Sequence, residues 1–335
     1  MIEHVELSKT KIYAAKHSSD VIRLSSSSGG AFTALSDWAF DRGYAICCAI
    51  YNYERSQVEF EVVTNKFDRD KAKGSKYVQS FLGNVFFECE AWLKQNPDKM
   101  LMFFGVGCQV DGFRNYARQK DFADRVLFID IICNGMPSID VWHDYVKYIE
   151  NVNKGKISYV SFKDKKNGWK NPRAYVVVNS KEILIDEYNN LFYNALILRP
   201  SCYNCKYTKI ERKTDITIGD YWGIEEHHKE FYSDKGVSVL IAHSKIGDEV
   251  ISELKSVDLL ETKVEDCKQP RLSDPAVFNK DCENFWADYK KYGIEVALPK
   301  YGKENLHPVK FFIDSLVSKV KRKVKKCFLS ISRKF

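Results

Sequence analysis

The chain has 335 residues, of which 44% are hydrophobic and 14% aromatic, so it can build a folded core and is not a wholly disordered protein. Its net charge of +7 comes from residues 309–335, which carry nine basic residues and one acid and leave residues 1–308 nearly neutral. A neutral body excludes an extended nucleic-acid groove as the main function, and we expect no nucleic-acid partner.

The N-terminal third predicts strands and one clear helix. The polar first 20 residues predict an edge strand or an arm. The serine–glycine stretch 25–30 leads into an amphipathic helix, and Gly43 stands where its C-terminal cap is expected. The apolar segment 44–50 then predicts a strand, and the alternating segment 58–64 predicts its hairpin partner.

Two continuous apolar runs give the clearest architectural information. They span 100–104 and 126–132, with a helical segment near 110–119 between them. Strands without alternation are buried on both faces, so we expect a βαβ unit with parallel strands.

The part of the chain beyond residue 155 is richer in strands. Strands are predicted at 157–162, 173–178, 182–185 and 237–242, and a helix near 246–256. The fold class predicted is mixed α/β: a sheet with flanking helices, then a strand-rich α+β part. We divide the chain into an N-terminal α/β domain (1–152), an α+β domain (153–305) and a basic amphipathic helix (306–335).

Four of the ten cysteines have a suggestive placement. Cys108 and Cys133 directly follow the two apolar strands, and the carboxyl ends of adjacent parallel strands meet at one sheet edge. Cys202 and Cys205 form a Cys-x-x-Cys pair, which presents two thiolates to one site. No signal-peptide pattern or membrane-spanning run is present, so we expect a cytoplasmic protein with reduced thiols.

From the residues alone, the four thiols fit a 4Fe-4S cluster or a zinc ion equally well, and small buried side chains remain an alternative. The other six cysteines show no such pairing, and we interpret them as structural.

Three other segments contain residue types that bind ligands. The stretch 25–30 is either a simple helix N-cap or a cradle for an anion. The segment 74–77 is either a solvated loop or the source of a cation and an aromatic face. Two acids, two glycines and a tryptophan within 215–223 indicate a site whose ligand is open.

Together these segments resemble the coenzyme F420 hydrogenase/dehydrogenase beta-subunit family over roughly residues 10–300. The matching motifs are 26–30, 74–80, 107–110, 133–138, 199–205 and 215–223. The resemblance implies an oxidoreductase that moves electrons or hydride between a 4Fe-4S cluster, FAD and a substrate or deazaflavin.

The resemblance also implies the site residues, although no side chain is assigned as a catalytic acid or base. The implied cluster ligands are Cys108, Cys133, Cys202 and Cys205. The residues implied on the flavin side are Ser27, Ser28, Gly29, Gly30, Lys76, Tyr77, Gln79, Ser80 and Asp220.

The chain departs from the family pattern in ways that affect its expected partners. The N-terminal ferredoxin-like module of many relatives is missing, so a separate ferredoxin or reductase would deliver electrons. Asn134 stands where histidine is common, and Val106-Gly107 replace Thr-Pro before Cys108, which puts a proton-transfer role here in doubt.

Short relatives resemble products of capsule and exopolysaccharide gene clusters, which implies a small-molecule, sugar-linked or lipid-linked substrate. The alternative is a non-catalytic, metal- or cluster-stapled accessory protein of envelope polysaccharide assembly. The basic C-terminal helix is either solvated or docked on an anionic membrane surface, which would make the protein peripheral on the inner face of the membrane.

Overall fold

The computed structural model describes residues 6–303, with side chains from residue 10 onward. Its strands are β1 (Glu6–His17), β2 (Ala45–Asn52), β3 (Gln57–Val63), β4 (Ser80–Phe81), β5 (Leu101–Val106), β6 (Val126–Ile131), β7 (Ile157–Asp164), β8 (Arg173–Val178), β9 (Lys181–Leu184), β10 (Ile216–Asp220), β11 (Ser238–Ser244) and β12 (Val257–Thr262). Its α-helices are α1 (Asp20–Leu24), α2 (Ala31–Phe40), α3 (Lys66–Lys71), α4 (Val85–Gln95), α5 (Gly107–Gln119), α6 (Ile139–Asn153), α7 (Asp186–Tyr193), α8 (Ile224–His227), α9 (Lys245–Ser252), α10 (Cys282–Tyr292) and α11 (Ile294–Tyr301).

Nine strands form one sheet in the order β12-β1-β11-β10-β6-β5-β2-β3-β4. Its centre is parallel, since β10 pairs with β6, β6 with β5 and β5 with β2 in the same direction. The predicted mixed α/β fold and the βαβ unit β5–α5–β6 are therefore confirmed. Both faces of this centre are covered, which explains why its strands are continuous apolar runs.

Helices pack on both faces of the sheet. On one face, α4 and α5 cover β5 and β6, and the rings of Phe103 and Phe113 stack with centroids 4.3 Å apart. On the other face, α2 and α9 cover the same strands together with β10 and β11. A smaller sheet, β7-β8-β9, forms a second core with α6, α7, α10 and α11.

The N-terminal strand differs from the prediction, because β1 is neither an edge strand nor an arm. It lies between β11 and β12, so that Ile12 faces Ile241 on one side and Thr262 on the other. Ile12 and Ala14 are fully buried, and these small and branched residues allow the polar segment to enter the core. The strand β12 was not predicted, and the helix expected near 246–256 ends at Ser252.

The large sheet draws strands from both sides of residue 152, because β10, β11 and β12 complete the sheet that the N-terminal part begins. The domain division at 152 stays a prediction. The basic helix predicted over 306–335 lies outside the described residues. None of the described helices is both long and apolar enough to cross a membrane.

Candidate functional site

The four predicted cysteines surround one small cavity of about 40 Å³ at the carboxyl edge of the sheet. Cys108 lies in the first turn of α5, directly after β5, and Cys133 follows β6. Cys202 and Cys205 come from a short helical turn over Pro200–Asn204 and its end. All nine cysteines of the described chain are free thiols. We call this space the thiol cavity.

Two loops are joined to each other beside the thiol cavity. The N–H of Arg199 donates to the carbonyl of Met136 at 2.8 Å, and the N–H of Ser138 donates to the carbonyl of Ile197 at 2.8 Å. The loop of Cys133 and the approach to Cys202 therefore run side by side. Because backbone pairing holds both loops, the thiols they carry have defined positions.

Two of the thiol sulfurs accept backbone hydrogen bonds. Sγ of Cys133 accepts from the N–H of Gly135 at 3.3 Å, and Sγ of Cys202 accepts from the N–H of Met136, also at 3.3 Å. Such donors stabilise a thiolate. Gly135 has φ = +133°, which favours glycine, and a Cβ there would lie 2.6 Å from Leu198 Cδ1.

Gly107 permits the close approach of the segment that carries Cys205. A Cβ at Gly107 would lie 2.9 Å from the Cβ of Tyr207 and 3.3 Å from Oδ2 of Asp130. Because Tyr207 Cβ belongs to the root of its side chain, a larger residue at 107 would push the backbone of this segment away. The glycine before Cys108 thus has a packing role.

The surrounding protein raises the pKa of three of these thiols. The pKa of Cys133 rises to about 12, and those of Cys108 and Cys202 also rise, with desolvation by the surrounding protein as the largest cause. Without a cation these three thiols are therefore protonated at neutral pH, and binding of a metal group would release their protons.

Two arginines also line the thiol cavity, Arg212 and Arg271. Arg212 is paired with the fully buried Asp130 at 2.5 Å, and Asp130 also accepts a hydrogen bond from Thr217 at 2.5 Å. Arg271 donates from Nε to Oδ1 of Asn134 at 2.8 Å. Positive charge therefore stands beside the thiols, where it would offset the negative charge of thiolates.

Within residues 6–303, no group of three or more His, Cys, Asp or Glu side chains is close enough to hold a single metal ion. A tetrahedral zinc site with Zn–S bonds of ~2.3 Å would bring its sulfurs to roughly 3.8 Å of one another. The four thiols line the thiol cavity without forming such a group among the described residues.

A larger cavity of about 360 Å³ adjoins the thiol cavity, and its volume lies within the range of ligand sites. It is lined by seven of the nine residues predicted on the flavin side: Ser27, Ser28, Gly30, Lys76, Tyr77, Ser80 and Asp220. Gly29 and Gln79 do not line it. Gly29 packs instead on the sheet, where a Cβ would lie 2.3 Å from the carbonyl oxygen of Ala15. We call this space the ligand cavity.

The serine–glycine loop presents the N-terminus of α2 to the ligand cavity. Gly30 caps α2 with φ = +94° and leaves its first N–H groups without a side-chain cap. The hydroxyls of Ser27 and Ser75 are 2.8 Å apart, which ties this loop to the one before β4. Lys165 holds the loop from behind by donating to the carbonyl of Ser28 at 2.8 Å. A helix N-terminus of this kind attracts anions.

The charges around the ligand cavity are mostly positive. Among the described residues it is lined by four cations, Lys73, Lys76, Lys163 and Arg271, and by one carboxylate, Asp220. That carboxylate is already engaged, since it accepts from Lys163 Nζ at 2.5 Å and from Trp169 Nε1 at 2.7 Å. The cavity therefore favours an anionic ligand.

Lys76 is the cation best suited to a ligand anion. Its Nζ donates to the backbone carbonyls of Ala72 at 2.7 Å and Gly74 at 3.1 Å, and it has no carboxylate partner within residues 6–303. Burial lowers the pKa of Lys76 to about 8. An anion within reach would stabilise the charged form.

Aromatic rings form two other parts of the ligand cavity. Tyr77 stacks on Phe192 with centroids 4.6 Å apart, and its hydroxyl is 2.9 Å from that of Tyr193. Trp222 stacks on Trp169 at 4.8 Å. These rings supply flat apolar surfaces next to the cations.

The two cavities share a wall. Six residues line both: Val106, Cys133, Asn134, Gly135, Met136 and Arg271. Cys133, one of the four candidate ligands, therefore lines both cavities. A group bound in one cavity would lie next to a group bound in the other.

Several site residues escaped the sequence analysis. Lys163, Arg212 and Arg271 come from segments without a motif, and their partners Asp220, Asp130 and Asn134 lie far away in the chain. The only available signal was for Lys163, which directly follows the strand predicted at 157–162.

The chain was then compared with known proteins. The family described as the C terminus of the coenzyme F420 hydrogenase/dehydrogenase beta subunit matches residues 98–268, a region that includes all four cysteines of the thiol cavity. This matched region extends across residue 152. Among curated proteins, none matches the sequence.

A solved structure is similar in fold. It is a chain of the xenon-derivatised F420-reducing NiFe hydrogenase complex from Methanosarcina barkeri, with 17% identity and a TM-score of 0.51 over 80% of this chain and 87% of that one. The matched family region covers just over half of the chain. The chain therefore belongs to the family of coenzyme F420 hydrogenase/dehydrogenase beta subunits.

Proposed function

We propose that this chain is an iron–sulfur flavoprotein oxidoreductase, with a 4Fe-4S cluster in the thiol cavity and FAD in the ligand cavity. The observation that supports it most strongly is the shared wall, which puts four thiols directly beside a cavity for an anionic, aromatic ligand. Two redox groups separated by one layer of residues would exchange electrons efficiently.

The donor set of the thiol cavity suits a cluster. Four thiols with two N–H···S bonds and two arginines nearby are chemically matched to an anionic iron–sulfur group. A cluster gives each thiolate its own iron, so its ligands stand around a volume and do not converge on one point. The lining of one cavity by four thiols supports this arrangement.

The ligand cavity suits FAD in three respects. The N-terminus of α2, Lys76 and Lys73 would hold the pyrophosphate, since they offer N–H groups and positive charge. The ring of Tyr77 offers an apolar face. Asp220 would act indirectly, because Lys163 and Trp169 occupy its carboxylate.

When bound, the flavin would supply hydride and electron transfer, and the cluster would supply single-electron transfer. The residues of the chain bind, orient and exclude water. Gly135 and Met136 donate to thiol sulfurs on one side of the shared wall and line the ligand cavity on the other. Arg271 brings positive charge to both cavities.

For the substrate and the electron donor we propose chemical classes. The positive lining favours an anionic substrate or a deazaflavin. The resemblance to short relatives from capsule and exopolysaccharide gene clusters supports a sugar-linked or lipid-linked molecule. Electrons would come from a separate ferredoxin or reductase.

Anaerobic purification and reconstitution of the full chain tests the proposal. We expect four irons, four inorganic sulfides and one FAD per chain, with the absorbance bands of both groups. A colourless chain that holds one zinc ion and no flavin would overturn the proposal and favour the stapled accessory protein.

A further inference from the structure

The thiol cavity reaches the protein surface at Cys108, which does not line the ligand cavity. Cys108 is exposed, whereas the other three thiols of the cavity are partly buried. A group held there would be accessible to a molecule bound at this surface. The surroundings of Cys108 therefore bear on how electrons arrive.

An exposed apolar pair lies beside this opening. Val277 is 71% exposed and Phe278 is 52% exposed, although they directly follow Ala276, which lines the thiol cavity. The ring of Phe278 contacts that of Tyr203 edge-on, with centroids 5.0 Å apart, and Tyr203 follows Cys202 in sequence. Large apolar residues next to a functional opening are typical of an interaction surface.

Exposed cations lie in the segment that carries Cys202 and Cys205. The segment 199–213 has four exposed cations, Arg199, Lys206, Lys209 and Lys213, and one exposed acid, Glu211. The charge of Arg199 reaches Cys108 and Cys202, since it opposes the rise that burial causes in the pKa of both thiols. Lys206 is 76% exposed, and its Nζ lies 3.9 Å from Oδ2 of Asp111.

The charge of this surface indicates which kind of protein would bind to it. A second copy of the chain would bring the same cations against one another in a two-fold interface, which is unfavourable. An acidic protein would pair with the exposed cations of segment 199–213 and cover the apolar side chains of Val277 and Phe278. Delivery of electrons to an exposed thiol-held group also requires a redox partner.

We propose that Arg199, Lys206, Lys209, Lys213, Val277 and Phe278 form a docking surface for a small acidic electron-carrier protein. In each encounter the reduced carrier loses one electron and the cluster gains it, with no bond made or broken. The electron-transfer role rests on the proposed function, but docking itself does not require a cluster.

The test uses the full chain and a ferredoxin of strongly negative net charge. We measure binding to the chain before reconstitution, and the rate of cluster reduction after it, each at low and high ionic strength. We expect Lys209→Glu to lower affinity and the second-order rate constant about tenfold at low salt, and to flatten the salt dependence. Phe278→Ser should weaken binding at both salt concentrations.

Lys181→Glu is the matched control, since Lys181 is an exposed cation on β9 in the smaller sheet. It should leave binding and rate unchanged, as should dithionite reduction of every variant. Equal affinities for wild type, Lys209→Glu and Phe278→Ser would overturn the docking surface, as would equal affinity for a basic cytochrome c. If no cluster forms but salt-dependent ferredoxin binding is lost in Lys209→Glu, the proposed function fails and the docking surface stands.

Discussion

The backbone N–H of Met136 donates a hydrogen bond to Sγ of Cys202 across 3.3 Å, and so joins two segments of the chain that are 66 positions apart. Met136 also belongs to the wall between the two cavities. A single peptide group thus contacts one thiol and borders the ligand cavity. Displacement of Cys202 would therefore disturb the thiol cavity and also the lining of the ligand cavity.

Replacement of Cys202 by serine should sharply reduce cluster retention. A hydroxyl is a much poorer ligand for iron than a thiolate, and within residues 6–303 the lining of the thiol cavity offers no fifth thiol. We expect iron content after anaerobic reconstitution to fall by more than half. The control is Cys89→Ala, because Cys89 is fully buried in the core between α4 and the sheet and should cost stability without changing iron content. Equal iron loss in both variants would contradict the assignment.

Replacement of Gly107 by alanine should separate the cysteine segments. The new Cβ would lie 2.9 Å from Tyr207 Cβ, and the resulting overpacking should cost about 1–3 kcal/mol. Iron content should fall as well. Gly112→Ala in the same helix is the control, because its Cβ would find only Phe86 Cζ at 3.9 Å and should stabilise the helix by roughly 1 kcal/mol. Urea unfolding and iron analysis measure both effects.

Flavin affinity should depend on pH through Lys76. The pKa of this buried lysine is lowered to about 8, so its charge is present below that pH and is lost as the pH rises through it. Since a charge-assisted hydrogen bond contributes ~1.5–3 kcal/mol, we expect FAD affinity to fall about tenfold or more at high pH. An anion beside Lys76 would move the midpoint upward.

The matched variants separate charge from structure. Lys76→Arg keeps its charge at all these pH values and should bind FAD without this pH dependence, whereas Lys76→Met should bind weakly throughout. Fluorescence titration of FAD measures the affinities. If Lys76→Met showed the same pH dependence of FAD affinity as the wild type, a group other than Lys76 would cause that dependence.

The Arg212–Asp130 pair should contribute strongly to folding. Both side chains are buried, with exposed fractions of 5% and 0%. Asp130→Asn keeps the shape but leaves Arg212 as an uncompensated buried charge, so we expect a loss of about 3–5 kcal/mol in the free energy of unfolding. Glu182→Gln in the exposed pair with Lys166 should change it by less than about 0.5 kcal/mol. Denaturant midpoints at constant slope report both values.

Local patterns were enough to predict the centre of the fold. The runs before Cys108 and Cys133 are continuously apolar because both faces of these strands are covered. From this arrangement the convergence of the two cysteines followed. The pair Cys202 and Cys205 was added from its Cys-x-x-Cys spacing, from the count of four thiols and from the family resemblance. Its position beside the first two depends on loop pairing at Met136, which no local pattern predicts.

The misplaced elements depend on partners far away in sequence. The polar strand β1 is buried because β11 and β12 flank it on its two sides. The residues of β1 itself do not indicate either of these neighbours. Similarly, Lys163 and Arg212 resemble surface cations until Asp220 and Asp130 are brought to them. An ion pair between residues far apart in the sequence produces no periodic pattern from which it could be predicted.

The interior position of β1 has a consequence for biosynthesis. This strand leaves the ribosome long before its neighbours, because Ala15 pairs with Ser238 and His17 with Val257. At ~5–20 residues per second, β1 waits roughly 10–50 s for its neighbours to be made. All four thiols of the site emerge within that interval, so the proposed cluster would have time to assemble while the sheet is still open at one end. The strand order thus makes completion of the large sheet wait for the synthesis of β11 and β12.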